Sequence, residues 1–171
     1  VANLPYAVAT PVMSNLIATD FPWTRMVATI QFELALRMRA RGGGDHYGAL
    51  PVWLQSQSRV RILKKLSPKV FWPRPQVHSA VVRIEADPRR AARIADRAHF
   101  QDFIRRLFQQ RRKSLRSVLG SMYRRELGKP RIAAILAELE LSESVRAEDL
   151  EVPVLVKLGN RIYREERGGE E

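Results

Sequence analysis

The spacing of apolar residues changes character once along this chain, at Asp87-Pro88, and that change limits the possible folds more than any other feature. Ahead of it, short β-rich apolar runs alternate with helix-like segments. Residues 25–32 (RMVATIQF), 60–66 and 79–85 read as strands, the last two joined by the proline-rich FWPRPQ. Residues 10–18 predict a helix capped by Thr10, with Pro11 in its first position and Val12, Leu16 and Ile17 on its apolar face. ELALRMRAR continues the first strand into a helix, Gly42-Gly43-Gly44-Asp45 reads as a flexible loop, and residues 48–58 predict another helix with Pro51 in its first turn. Behind Pro88, Phe100, Phe103, Ile104, Leu107, Phe108, Leu115, Val118, Leu119 and Met122 recur at helical spacing, with Arg105, Arg112 and Arg116 off the stripe. One basic helix over 101–125 follows, then helices opening at Pro130 and near Pro153. The expected architecture is an α/β part, residues 1–88, followed by a small all-α domain, residues 89–171, with a flexible acidic tail (REERGGEE). Three strands and two or three helices make half of an open sheet, because parallel sheets cover both faces and pair their edges. Further elements upstream are therefore expected, in keeping with a first residue that is Val and not Met.

Several function classes drop out. The chain has no cysteine, which excludes disulfides and thiolate zinc sites, and His46, His78 and His99 lack metal-ligand spacing, so no metal is expected. No phosphate-binding glycine loop of the G-x-G-x-x-G or G-x-x-x-x-G-K-[ST] kind is present, and no nucleophile–base arrangement declares itself. No apolar run reaches membrane-span length and no secretory pattern occurs, so a cytoplasmic, monomeric protein is expected. The charge is informative: 30 Lys+Arg against 18 Asp+Glu give a net +12. Residues 59–83 hold seven basic side chains and no acidic one, residues 101–125 eight basic and one acidic, while acidic residues gather at 138–151. Two such blocks suit a surface that tracks phosphates.

Two proline-stiffened aromatic segments carry the chemistry. Asn3-Leu4-Pro5-Tyr6 sets an amide, an extended step and a ring side by side, and Phe71-Trp72-Pro73-Arg74-Pro75 does something similar. Each alone reads as a turn with a hydrophobic plug. Together, in a chain with two basic blocks, they suit the sandwiching of a base lifted out of its helix. Trp23, Trp53 and Trp72 read as packing, with Trp72 placed where it could also touch substrate.

NLPY at 3–6, F-x-P-x-P-x-V-x-S at 71–79 and QRRKSLRSVL at 110–119 resemble the ribosomal RNA adenine N6-dimethyltransferase family, specifically its branch acting on the small ribosomal subunit. IQFELALRM (30–38), YGALPVWLQ (47–55) and RAEDL (146–150) fall in the same order as similar segments of that family. The chain departs from the pattern in the apolar Ala7-Val8-Ala9 after the tyrosine and in Gln31-Phe32-Glu33, where the family has Gln-Lys-Glu. The resemblance implies the C-terminal part of a Rossmann-like methyltransferase sheet followed by a helical RNA-binding domain, with most of the S-adenosylmethionine pocket upstream, so that this chain alone would be inactive. It implies Asn3, Leu4, Pro5, Tyr6 and Phe71 as the catalytic set, Asn3 also touching the cofactor, and Arg74, Arg105, Arg111, Arg112, Lys113 and Arg116 on RNA. The implied reaction is N6,N6-dimethylation of two adjacent adenines near the 3′ end of small-subunit rRNA during ribosome biogenesis. The rivals are a large-subunit rRNA dimethyltransferase conferring antibiotic resistance, against which QRRKSLRSVL and RAEDL speak, and a non-catalytic RNA-binding assembly factor.

Overall fold

The computed structural model describes residues 1–19 and 21–168. The three predicted strands are present, and a fourth, β1 (Ala2–Asn3), joins them. With β2 (Arg25–Gln31), β3 (Ser58–Leu66) and β4 (Ser79–Ala86) it forms one sheet in the order β1-β2-β4-β3. Only β1 and β2 run parallel; β4 is antiparallel to both β2 and β3. The register gathers Asn3, Gln31, Leu66 and Ser79 at one end of the sheet and Arg25, Ser58 and Ala86 at the other. Alternate residues Ala28, Ile30, Ala80, Val82 and Ile84 are buried, whereas Thr29, Val81 and Arg83 on the opposite face are only half-buried. That alternation is what an antiparallel sheet with one covered face requires.

Helices α1 (Tyr6–Ala18), α2 (Phe32–Met38) and α3 (Ala49–Gln55) pack on the covered face. Helix α1 opens at Tyr6 and not at Thr10, because Pro5, at φ −56° and ψ 135°, holds the extended step just before it. Pro11 thus lies inside the helix, where it cannot donate to the carbonyl four residues back. The buried stripe is Ala9, Met13 and Ile17, one residue per turn, and Leu16 stays exposed. The glycine loop is not free either. Gly43 N donates to Glu148 O at 2.7 Å, a Cβ on Gly42 would meet the Asp149 and Leu150 backbone at 3.2 Å, and Tyr47 Oη donates to Leu150 O at 2.8 Å. Gly43 itself takes φ +79°, which favours glycine.

The predicted basic helix over 101–125 is two helices. After a short helix α4 (Pro88–Ala91), α5 (Arg97–Phe108) ends, residues 109–114 turn, and α6 (Leu115–Met122) begins. The break has a local cause: Ser114 caps α6 by accepting from Ser117 N at 3.4 Å, while Leu115 N donates out of the helix to Val145 O at 2.7 Å. Helices α7 (Gly128–Glu138) and α8 (Val152–Gly168) follow. Residues 164–168 of the expected flexible tail continue α8, and 169–171 lie outside the described residues. One contiguous buried cluster runs from Ala9 through Trp53 and Ile84 to Phe100, Leu119 and Ile162, so α5 and α8 pack onto the α/β part through α3.

Candidate active site

The two proline-stiffened segments meet at the Ser79 end of the sheet. Asn3 ends β1, Leu4 N donates to Thr29 O at 3.3 Å, and Tyr6 is the first residue of α1. On the other side, Ser67 caps a short 3-10 turn (Pro68–Val70) by accepting from Lys69 N, and this turn delivers Phe71. Asn3, Leu4, Pro5, Tyr6, Phe71, Trp72, Pro73 and Pro75 line one open cleft of about 300 Å³. Among the described residues, no charged side chain and no histidine lines it.

Tyr6 is fixed by a contact that sequence reasoning passed over. Its Oη lies 2.6 Å from Ser79 Oγ, and Ser79 is fully buried as the first residue of β4. The serine had been visible only as the last letter of a motif, 73 positions away. Phe32 N donates to His78 O at 2.9 Å, which joins the strand-to-helix step at 31–32 to the same corner. Trp72 is 96% exposed and does no packing, contrary to expectation; Trp53 is in the core and Trp23 is half-buried.

Three of the six basic residues singled out are paired with carboxylates, so positive charge is less segregated in space than along the chain. Arg111 pairs with Glu148 at 2.7 Å, Arg105 with Asp102 at 2.5 Å, and Arg116 with Glu143. The acidic stretch 138–151 thus folds back on the basic one, a neutralisation that composition could not reveal. Arg112 and Lys113, in the turn between α5 and α6, and Arg74, beside the cleft, make no ion pair among the described residues. Among those residues no group of three or more His, Cys, Asp or Glu could hold a metal.

A family model for ribosomal RNA adenine dimethylases matches residues 1–151. The chain belongs to that family. Among curated relatives, this chain is 35% identical over 162 residues to a protein of Halothermothrix orenii named ribosomal RNA small subunit methyltransferase A, covering 95% of the chain and 54% of the relative. A protein of the same name from Moorella thermoacetica is 38% identical over 122 residues, covering 71% and 42%. The chain therefore spans about half the length of the curated relatives it matches. Among solved structures, a dimethyladenosine transferase from Plasmodium falciparum superposes with a TM-score of 0.85 at 20% identity, covering 95% of this chain and 66% of that one. The 23S rRNA methyltransferase ErmE gives 0.61 at 16% identity, with 95% and 63% covered. These two likenesses show that the chain shares the fold of those methyltransferases.

Proposed function

We propose that this chain supplies the acceptor side of an S-adenosylmethionine-dependent enzyme that dimethylates N6 of two adjacent adenines near the 3′ end of small-subunit rRNA during ribosome biogenesis in the cytoplasm. The observation that carries this reading is the convergence of Asn3–Tyr6 with Phe71–Pro75 on one uncharged aromatic cleft. The curated relatives support the small-subunit target over a large-subunit one by their names.

An adenine amine is a poor nucleophile, because its lone pair is delocalised into the ring. If Asn3 Oδ1 and the Leu4 carbonyl accept its two N–H groups, the nitrogen is drawn toward tetrahedral geometry and its lone pair is freed. Leu4 N is already committed to Thr29 O, so that segment offers the amine acceptors and not a competing donor. Pro5 adds no donor and keeps the step extended. Tyr6, held by Ser79, forms one wall for the base and Phe71 the other. Catalysis of this kind is chiefly positioning, which matches a cleft with no charged side chain.

The donor supplies an electrophilic methyl on sulfonium. The residues present fit only its methyl end: Asn3 lies in the cleft, but no acidic group there could hold ribose hydroxyls. On this proposal most of its pocket is contributed by residues other than these 171, and this chain alone does not turn over. Arg74, Arg112 and Lys113 meet rRNA phosphates directly, while Arg105, Arg111 and Arg116 exchange an internal carboxylate for phosphate on binding.

The test is methyl transfer from labelled S-adenosylmethionine to unmethylated small subunits. It compares this chain, a protein extended upstream to the relatives' length, and the extended protein carrying Asn3→Ala or Tyr6→Ala. Label in adenine N6 only with the unsubstituted extended protein is expected. No label with either length, while both bind the subunit, would leave an RNA-binding assembly factor as the better reading.

A further inference from the structure

A second cavity lies at the far end of the sheet from the aromatic cleft. It measures about 600 Å³ and is formed where α3 and the segment after β4 meet the start of α8. Gln55 and Ser56, on its wall, immediately precede β3, whose nine residues run toward the cleft end. At about 3.3 Å per residue the two sites stand on the order of 25–30 Å apart.

The walls of this cavity are stiffened by bonds that use up most of its neutral polar groups. Gln55 Nε2 donates to Met38 O and Ala40 O at 3.0 and 2.9 Å. Asn160 accepts from Ala95 N and donates to Arg93 O, at 2.9 and 2.6 Å. Arg90 donates to Gln55 O and Ser58 O, at 2.9 and 3.1 Å, and lies 3.5 Å from Asp87. Three lining cations remain: Arg41, Arg93 and Lys157 are exposed and make no ion pair among the described residues. One carboxylate, Glu151, shares the cavity, and Val152, Pro153 and Val156 form its apolar floor. A concave site with a clear excess of one sign focuses the field on an incoming anion. Fixed walls add that little ordering is needed when one arrives.

We infer that this cavity is a second docking point for the phosphodiester backbone of the substrate RNA, gripped by Arg41, Arg93 and Lys157. The inference rests on the rRNA reading above and extends it: the substrate strand contacts this chain at two places separated by the length of the sheet. An isolated surface cation contributes mainly solubility, whereas three unpaired cations around a rigid concavity can each meet one of several neighbouring phosphates of a strand.

Binding of this chain to unmethylated small subunits and to protein-free small-subunit rRNA, each across a salt series, tests it. The variants are Arg41→Gln/Arg93→Gln/Lys157→Gln and a charge-matched control, Arg25→Gln/Arg164→Gln/Arg167→Gln; all six side chains are exposed, so folding is not threatened. The first triple is expected to bind both probes at least tenfold more weakly at 0.1 M salt. Its slope of log K on log salt should become shallower by about 2–3, at roughly 0.7–0.9 per lost phosphate contact, while the control changes little. Equal losses in both triples, or an unchanged slope in the first, would overturn the inference and leave the rRNA reading intact. A loss confined to whole subunits would assign the cavity to an acidic ribosomal protein surface and also overturn it. No binding of either probe by the unsubstituted chain would sink both readings together.

Discussion

Ser79 and Tyr6 show how much of a site can depend on one contact between distant residues. A tyrosine that must stack on a flat ring is useful only if its own plane is fixed, and the 2.6 Å bond to a buried serine hydroxyl fixes it. Tyr6→Phe and Ser79→Ala are each expected to lower stability by about 1 kcal/mol in urea unfolding, the usual net worth of such a bond. The double variant should cost little more than either single one; additive losses would show that the two hydroxyls do not act on each other. The residue types at this site were legible in the sequence only as a pair of segments, because either one alone reads equally as a turn with a hydrophobic plug. The serine was not, since a hydroxyl at the start of a strand has many ordinary uses and nothing local points to a partner across the sheet. The partners of Arg111 and Arg116 were hidden for the same reason: Glu148 and Glu143 lie beyond α7.

Between elements, contact distance decides. Helix α8 crosses α5 at Gly159, where an added Cβ would lie 2.8 Å from Phe100 Cδ2 and 3.2 Å from Phe103 Cδ1. Both phenylalanines are fully buried and cannot swing aside. Alanine is the better helix former by about 1 kcal/mol, yet Gly159→Ala is expected to destabilise by about 1–3 kcal/mol because overpacking outweighs propensity. A rise in the melting midpoint would refute that ranking. Helices α7 and α8 are also joined by charge: Arg131 holds Glu165 through two bonds at 2.7 and 2.6 Å, and Arg161 pairs with both Glu165 and Glu138. Hydrogen bonding from Arg131, then from Arg161, brings the Glu165 carboxyl down to about 2. A carboxyl lowered in the folded state stabilises at pH values above its unfolded range and loses that contribution as pH falls. The effect should therefore be complete above about pH 5 and fade toward pH 2. Glu165→Gln should flatten the acid limb of stability in that window; an unchanged limb would place the pH dependence elsewhere, Asp87 being the next carboxyl held low, chiefly by its bond from Arg59. Element types were mostly readable from periodicity. The split of the basic helix was not, because Leu115 keeps the apolar stripe in phase across a turn that Val145 stabilises from outside.

Over the whole molecule, the α/β part and the helical part share one core, and the glycine loop, Tyr47 and the 148–150 segment tie them together. All three tryptophans precede Asp87, whereas α5, α6, α7 and α8 follow it, so fluorescence reports on the α/β part and far-UV circular dichroism on the whole, weighted toward the helical part. Coincident unfolding curves are expected from the two probes, and separated transitions would mean that the shared core does not couple them. Tyr47→Phe should shift both curves together by about 1–3 kcal/mol, since it leaves the buried Leu150 carbonyl without its donor. The change of period at Asp87-Pro88 was plain in the sequence; the contacts across it were not, because glycines and a lone tyrosine carry no pattern. The sheet order has a last consequence for the cleft. Tyr6 is anchored through Ser79 to β4, a strand with neighbours on both sides, whereas Leu4 leans on β2 through Thr29. Local opening spares strands that are paired on both sides. The ring therefore keeps its plane while the ends of the sheet fray, and in the proposed site a base would stack on a wall already set.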